Sequence, residues 1–160
     1  MKKRILSILL AAVLLISGIP MFASAASSDI VYYQVGDSPY CYLIFDKSTG
    51  TITGQSQISG DLVIPAQIEG VAVKEIDGNV FSNNRNLISV VLPEGLEGIG
   101  WHAFQGCTAL TAINIPDSVT EIEFYAFDNC LALSSIVLSN RLTTISTGAF
   151  RRCKSLDSIT

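Results

Sequence analysis

Leu87, Leu110, Leu133 and Leu156 stand 23 residues apart, and the same step recurs at seven further positions. It links Val90, Ile113, Ile136 and Ile159, then Leu92, Ile115 and Leu138, then Leu96, Val119 and Leu142. Ile99, Ile122 and Ile145 follow, with Ala103, Ala126 and Ala149, Phe104, Phe127 and Phe150, and Cys107, Cys130 and Cys153. Eight positions in 23 keep their chemistry with no insertion. One such unit cannot bury its own apolar edge, so successive units must stack as coils of a solenoid around a continuous core.

Within each unit, Leu110-Thr-Ala-Ile113-Asn-Ile115 alternates in the manner of a short strand, with Ile113 and Ile115 inward and Ala112 and Asn114 outward. Pro93 and Pro116 follow the strands, where a missing N–H costs no ladder bond. The remainder is too short for a full helix and is expected to be an irregular or 3₁₀ return on the convex side, with its Phe turned into the core. The first coil is irregular. Ile64-Pro65 matches Leu92-Pro93 at a spacing of 28, while Ile76, Val80, Phe81 and Asn84 restore the 23-residue register. Residues 62–86 are therefore a capping repeat, and 87–160 three full repeats plus the start of a fourth.

Upstream, Ile30–Val35, Tyr40–Asp46 and Thr51–Thr53 read as strands broken by Gly36-Asp37 and Lys47-Ser-Thr-Gly50. Residues 26–61 are accordingly expected to form a β-hairpin cap over the first coil's edge. Residues 1–25 combine Lys2-Lys3-Arg4, an apolar run from Ile5 to about Ile19, and Ala23-Ser-Ala25. That pattern predicts a secretory signal peptide, and the run falls short of the ~20 apolar residues of a membrane span. Export to the cell surface or medium, with no membrane insertion after cleavage, follows. Without Lys2, Lys3 and Arg4 the chain holds 7 basic against 14 acidic residues. Such a balance removes the electrostatic drive for nucleic-acid binding. Arg141, Arg151, Arg152 and Lys154 read as a solvated face of the last coil.

The unit Leu-x-x-Ile-x-Leu-Pro-x-x-Leu-x-x-Ile-x-x-x-Ala-Phe-x-x-Cys, clearest over Leu110–Ala132, resembles the BspA-type leucine-rich repeats of bacterial secreted and cell-surface proteins. The resemblance runs from about Leu62 to Thr160. It extends to a flank including Asp46-Lys-Ser-Thr-Gly-Thr-Ile-Thr-Gly54 and Asp61–Gly70. It implies a leucine-rich-repeat solenoid with short parallel strands on its concave side. It also implies a role in adhesion or protein binding.

Chemistry-bearing residues are sparse. His102 is the sole histidine, and cysteines every 23 residues make no paired metal-ligand spacing, so neither a metal nor a cofactor is expected. No nucleophile–base spacing or phosphate loop appears, so no catalytic residue is nominated and the chain is read as a non-enzyme. Asn84 occupies the slot of Cys107, Cys130 and Cys153. Asn shares small size and donor capacity with Cys but not its redox chemistry, so the column reads as a structural ladder of reduced thiols. Equivalent residues in a stack also point the same way, which argues against disulfides. Cys41 is expected to be an ordinary buried thiol.

Glu121 and Glu123 flank Ile122 and read as a solvated edge. Trp101 and Phe124 correspond in adjacent repeats; they are either an exposed convex aromatic patch or rings partly buried between coils. The candidate concave contact surface is Ser89, Ala112 and Ser135 with Val91, Asn114 and Val137. That lane covers roughly 200 Å² at strand spacings of ~4.8 Å, against ~800 Å² per partner in a standard interface. Flanking loops or further repeats are therefore expected to contribute. Ser155–Thr160 stops part-way through a strand, which predicts a longer repeat array. Two functions fit: a module that binds another protein, of a host or a cell surface, or a spacer that displays a downstream domain.

Overall fold

The computed structural model describes residues 29–159; the predicted signal peptide lies outside the described residues. Among these residues the chain forms fourteen strands and no helix, wound as a solenoid of about five turns. Strands β1 (Ile30–Gln34), β2 (Tyr42–Asp46) and β3 (Thr51–Ser56) form an antiparallel meander. Its three strands match the three extended segments read from the sequence, with the third running on from Thr53 to Ser56. Leu43, Phe45 and Ile52 are fully buried, whereas Tyr40 is exposed.

The principal sheet stacks β4 (Gly60–Val63), β8 (Leu87–Val91), β10 (Ala112–Asn114), β12 (Ser135–Val137) and β14 (Ser158–Ile159) in parallel. Register follows the 23-residue step, pairing Val90 with Ile113 and Ile113 with Ile136. The inward residues Val90, Ile113 and Ile136 are buried. The five inserted residues of the first coil accommodate a small hairpin, β5 (Gln67–Ile68) with β6 (Val71–Ala72). Its turn residues Glu69 and Gly70 both take positive φ, as a two-residue type I′ turn requires.

The return is more regular than expected. It carries a second ladder of two-residue parallel strands: β7 (Glu75–Ile76), β9 (Gly98–Ile99), β11 (Glu121–Ile122) and β13 (Thr144–Ile145). Ile76, Ile99 and Ile122 are buried beneath this ladder, whereas Ile145 on β13 is about half exposed; two residues per coil suffice for stacking once coils are ~4.8 Å apart. β3 joins this second sheet beside β7, so the meander caps the return side and not the principal sheet.

Beyond the second sheet, a third set of inter-coil bonds closes the loops. The N–H groups of Asn79, Phe81 and Asn83 donate to Trp101, Ala103 and Gln105 carbonyls at 3.0, 2.8 and 2.6 Å. The next coils repeat this from His102, Phe104 and Gly106, and from Tyr125, Phe127 and Asn129. Two left-handed positions per coil accompany it: Asn79, His102, Tyr125 and Gly148 in one column, Asn83, Gly106, Asn129 and Arg152 in the other. Between them the Phe81, Phe104, Phe127 and Phe150 rings stack at 5.0, 5.2 and 5.4 Å between centroids, within 9° of parallel.

Candidate functional site

The cysteine column sits inside the solenoid beside this aromatic stack. Cys107 Sγ donates to the Phe81 carbonyl at 3.1 Å, Cys130 Sγ to Phe104 at 3.2 Å and Cys153 Sγ to Phe127 at 3.2 Å. Asn84 Nδ2 makes the matching contact to the Ile58 carbonyl at 2.8 Å. All four cysteines are free thiols. Burial pushes the Cys107 thiol up to about 12, and Cys130 is raised by its hydrogen bond with Cys153 and by burial. Neither is a thiolate nucleophile. Cys41 is only half-buried and donates to the Gln57 carbonyl at 3.1 Å.

The outer face of the principal sheet brings Ser89, Ala112 and Ser135 into one column and Val91, Asn114 and Val137 into the next. Asp61 and Val63 extend these columns on β4, with Asp61 accepting the Ser89 hydroxyl at 2.6 Å. Val63, Val91 and Val137 are more than half exposed and Ile88 is 48 % exposed. Sequence reasoning missed Asp61, Val63 and Ile88. The first two are shifted out of the 23-residue register, and Ile88 precedes the part of the unit that alternates.

Trp101 and Phe124 are both exposed, but their rings do not meet each other among the described residues. The Trp101 ring lies across Gly78, occupying the space of an added Cβ (2.3 Å to Nε1), and neighbours His102 at 5.1 Å between ring centroids. His102 in turn meets Tyr125 at 5.4 Å, and the Arg151 guanidinium caps the Tyr125 ring at 5.0 Å. Arg151 also reaches the buried Asp128 through Nε at 3.1 Å and Nη2 at 3.3 Å, and Gln105 donates to the same carboxylate at 3.2 Å. The other members of the predicted basic face, Arg141, Arg152 and Lys154, are exposed.

On the outer face of the second sheet, Glu121 and Glu123 do not simply meet solvent. With Glu75, Glu97, Gly98 and Thr120 they line a hollow of about 280 Å³. Register places Gly98 directly between Glu75 and Glu121. Lys74 approaches Glu97 at 3.7 Å at one rim, and the Trp101 backbone N–H donates to Glu123 Oε2 at 2.9 Å at the other. Glu75, Glu97 and Gly98 were not singled out from sequence, because in a linear reading only Glu121 and Glu123 alternate. Among the described residues no group of three or more His, Cys, Asp and Glu is placed to hold a metal ion. No described helix is long and apolar enough to cross a membrane.

This arrangement, parallel strands stacked by a 23-residue leucine-rich unit with returns on the opposite side, defines a leucine-rich-repeat β-solenoid. The family described as "BspA type Leucine rich repeat region" matches residues 74–160 in six copies, and the chain belongs to it. The chain is similar to the crystal structure of the T. pallidum leucine-rich-repeat protein TpLRR, at 29 % identity and a TM-score of 0.64. The match covers 79 % of this chain and 71 % of that one. It is also similar to a leucine-rich cell surface protein of Faecalibacterium prausnitzii, at 26 % identity and a TM-score of 0.55, over 81 % of this chain and 42 % of that one. A leucine-rich-repeat protein from Bacteroides capillosus, 22 % identical with a TM-score of 0.62, shares the fold over 80 % of this chain and 96 % of its own. No curated protein matches the chain.

Proposed function

We propose that this chain is an exported, non-catalytic module that binds another protein at the bacterial surface through the outer face of its principal sheet. The observation that carries this reading is the set of aliphatic side chains Val63, Val91 and Val137, in one outward column shared with Asn114, together with Ile88; they stay exposed while Leu62, Val90 and Ile136 are buried. Solvent-facing strand positions normally carry polar groups, and contiguous exposed apolar surface marks interaction sites. Five strands give the face a span of roughly 20 Å, and neither acid nor base interrupts it beyond Asp61. Similarity to a cell surface protein supports the location, and the scaffold offers no constellation for catalysis.

The exported chain, immobilised, should retain a protein from extracts of host-cell or bacterial surfaces, identified by mass spectrometry. A V91E/V137E variant, which keeps the inward face intact, should lose it. Equal retention by both proteins, or retention by neither, would favour the spacer reading.

A further inference from the structure

The strands that end the two large sheets beside the first coil are built differently. β4 ends the principal sheet with devices by which edge strands avoid unwanted pairing. It carries the charged Asp61, Gly60 turns to a φ of +73°, and the register with β8 shifts between these two residues. β1 ends the second sheet with none of them. Ile30-Val-Tyr-Tyr-Gln34 holds no charge, proline or glycine and pairs with β2 over all five residues without a register shift. An uncharged run of β-branched and aromatic residues is the composition most prone to pair with a further strand. Among the described residues no strand pairs with its outer edge.

The hydrogen-bond ladder fixes which groups face outward. The Val35 N–H donates to the Cys41 carbonyl at 2.8 Å, and the Lys47 N–H to the Asp29 carbonyl at 2.7 Å. Antiparallel bonds recur on alternate residues. Val31 and Tyr33 therefore bond to β2, while Ile30, Tyr32 and Gln34 turn their N–H and C=O groups to the free edge. Side chains alternate between the two faces of the sheet. Val31 is buried and Tyr33 packs against the core, whereas Tyr32 is 38 % exposed and meets the Tyr42 ring edge-on at 5.4 Å.

We propose that β1 pairs antiparallel with β1 of a second copy of this chain, about a two-fold axis at Tyr32. Register selects this occupant. With Tyr32 opposite its own counterpart, Ile30 falls opposite Gln34 of the second copy, and all three outward residues form reciprocal hydrogen-bonded pairs. The edge is thus its own complement, as a closed two-fold interface requires. Side chains agree with the register: Val31 faces Tyr33 on the inner face and Tyr32 faces Tyr32 on the outer, pairings that favour strand association. Asp29 falls opposite Val35, so no like charges meet, although the chain holds 14 acidic residues. A five-residue edge spans about 17 Å, which places the dimer among small interfaces that dissociate on dilution. The pairing uses no residue of the principal sheet and is independent of the partner-binding reading.

Sedimentation equilibrium of the exported chain tests this. Rising concentration should convert monomer to dimer and stop there. Y32K and Y32E each set like charges against one another across the axis and should dimerise at least about ten-fold more weakly. An equimolar mixture of the two should recover the dimer, because only a two-fold at Tyr32 brings lysine against glutamate. Q34P removes an outward N–H from each copy without breaking a bond to β2 and should weaken the dimer likewise. All three variants should keep the wild-type circular-dichroism spectrum. A chain still monomeric at on the order of 1 mM, oligomers that grow past the dimer, or no recovery on mixing Y32K with Y32E would overturn the proposal. So would loss of the dimer in V91E/V137E, which would move the contact to the principal sheet.

Discussion

At the scale of single residues, the left-handed columns are where the chain's chemistry is most exacting. Asn79, Asn83, Asn129, Gly106 and Gly148 suit positive φ, but Tyr125 at 56° and Arg152 at 62° do not. A non-glycine residue there costs roughly 1–2 kcal/mol, offset in part by the ~0.4–1 kcal/mol of unfolded-state entropy that glycine forfeits. Arg152 is exposed, so R152G should be neutral or stabilising by up to about 1 kcal/mol. G148A should behave oppositely: φ is +72° and the new Cβ would fall 2.4 Å from Tyr125 Cε1. Urea denaturation of both variants checks the pair; a less stable R152G or an unaffected G148A would contradict it. These columns were hidden in the sequence, since Asn, His, Tyr and Gly share no side-chain chemistry. What they share is a backbone conformation that the inter-coil hydrogen bonds impose.

At the scale of elements, coils are tied by repeated backbone bonds and by a few side-chain contacts specific to one pair. The tie among Gln105, Asp128 and Arg151 is the clearest. Burial raises the Asp128 carboxyl, but hydrogen bonds from Arg151 and Gln105 outweigh that and hold it below the usual carboxylate range. A lowered folded value means stability that is fully present above the unfolded pKa of about 3.9 and is lost as pH falls through the folded value. With Arg151 half exposed, D128N should cost on the order of 1 kcal/mol near neutrality. The gap between wild-type and D128N melting curves should be constant from pH 7 to about 5 and close on further acidification. A gap independent of pH would show that the ion pair is not its source. The strands of the principal sheet were legible because their alternation repeats three times. The second sheet was not, because two residues carry too little pattern to distinguish a strand from a turn until neighbouring coils supply its partners.

For the whole molecule, stability should be a sum of nearest-neighbour terms along the stack. Phe104 is fully buried between Phe81 and Phe127, while Phe150 in the last described coil is only partly buried. F104A should therefore cost about 3–5 kcal/mol, and F150A markedly less, by chemical denaturation. Equal losses would argue against a stack whose coils differ only in their neighbours. The solenoid, its register, most of its inward residues and the Asn–Cys column were all readable from the repeat. Each of these is written as a local pattern repeated every 23 residues, and repetition turns weak local signals into a strong one. Folding adds that the meander joins the second sheet, that Trp101 rests on Gly78 and not against Phe124, and that Glu75, Glu97, Gly98 and Glu121 line one hollow. Those relations join residues from different coils, and the direction in which a side chain leans across the ~4.8 Å step between coils is set by packing, not by sequence spacing.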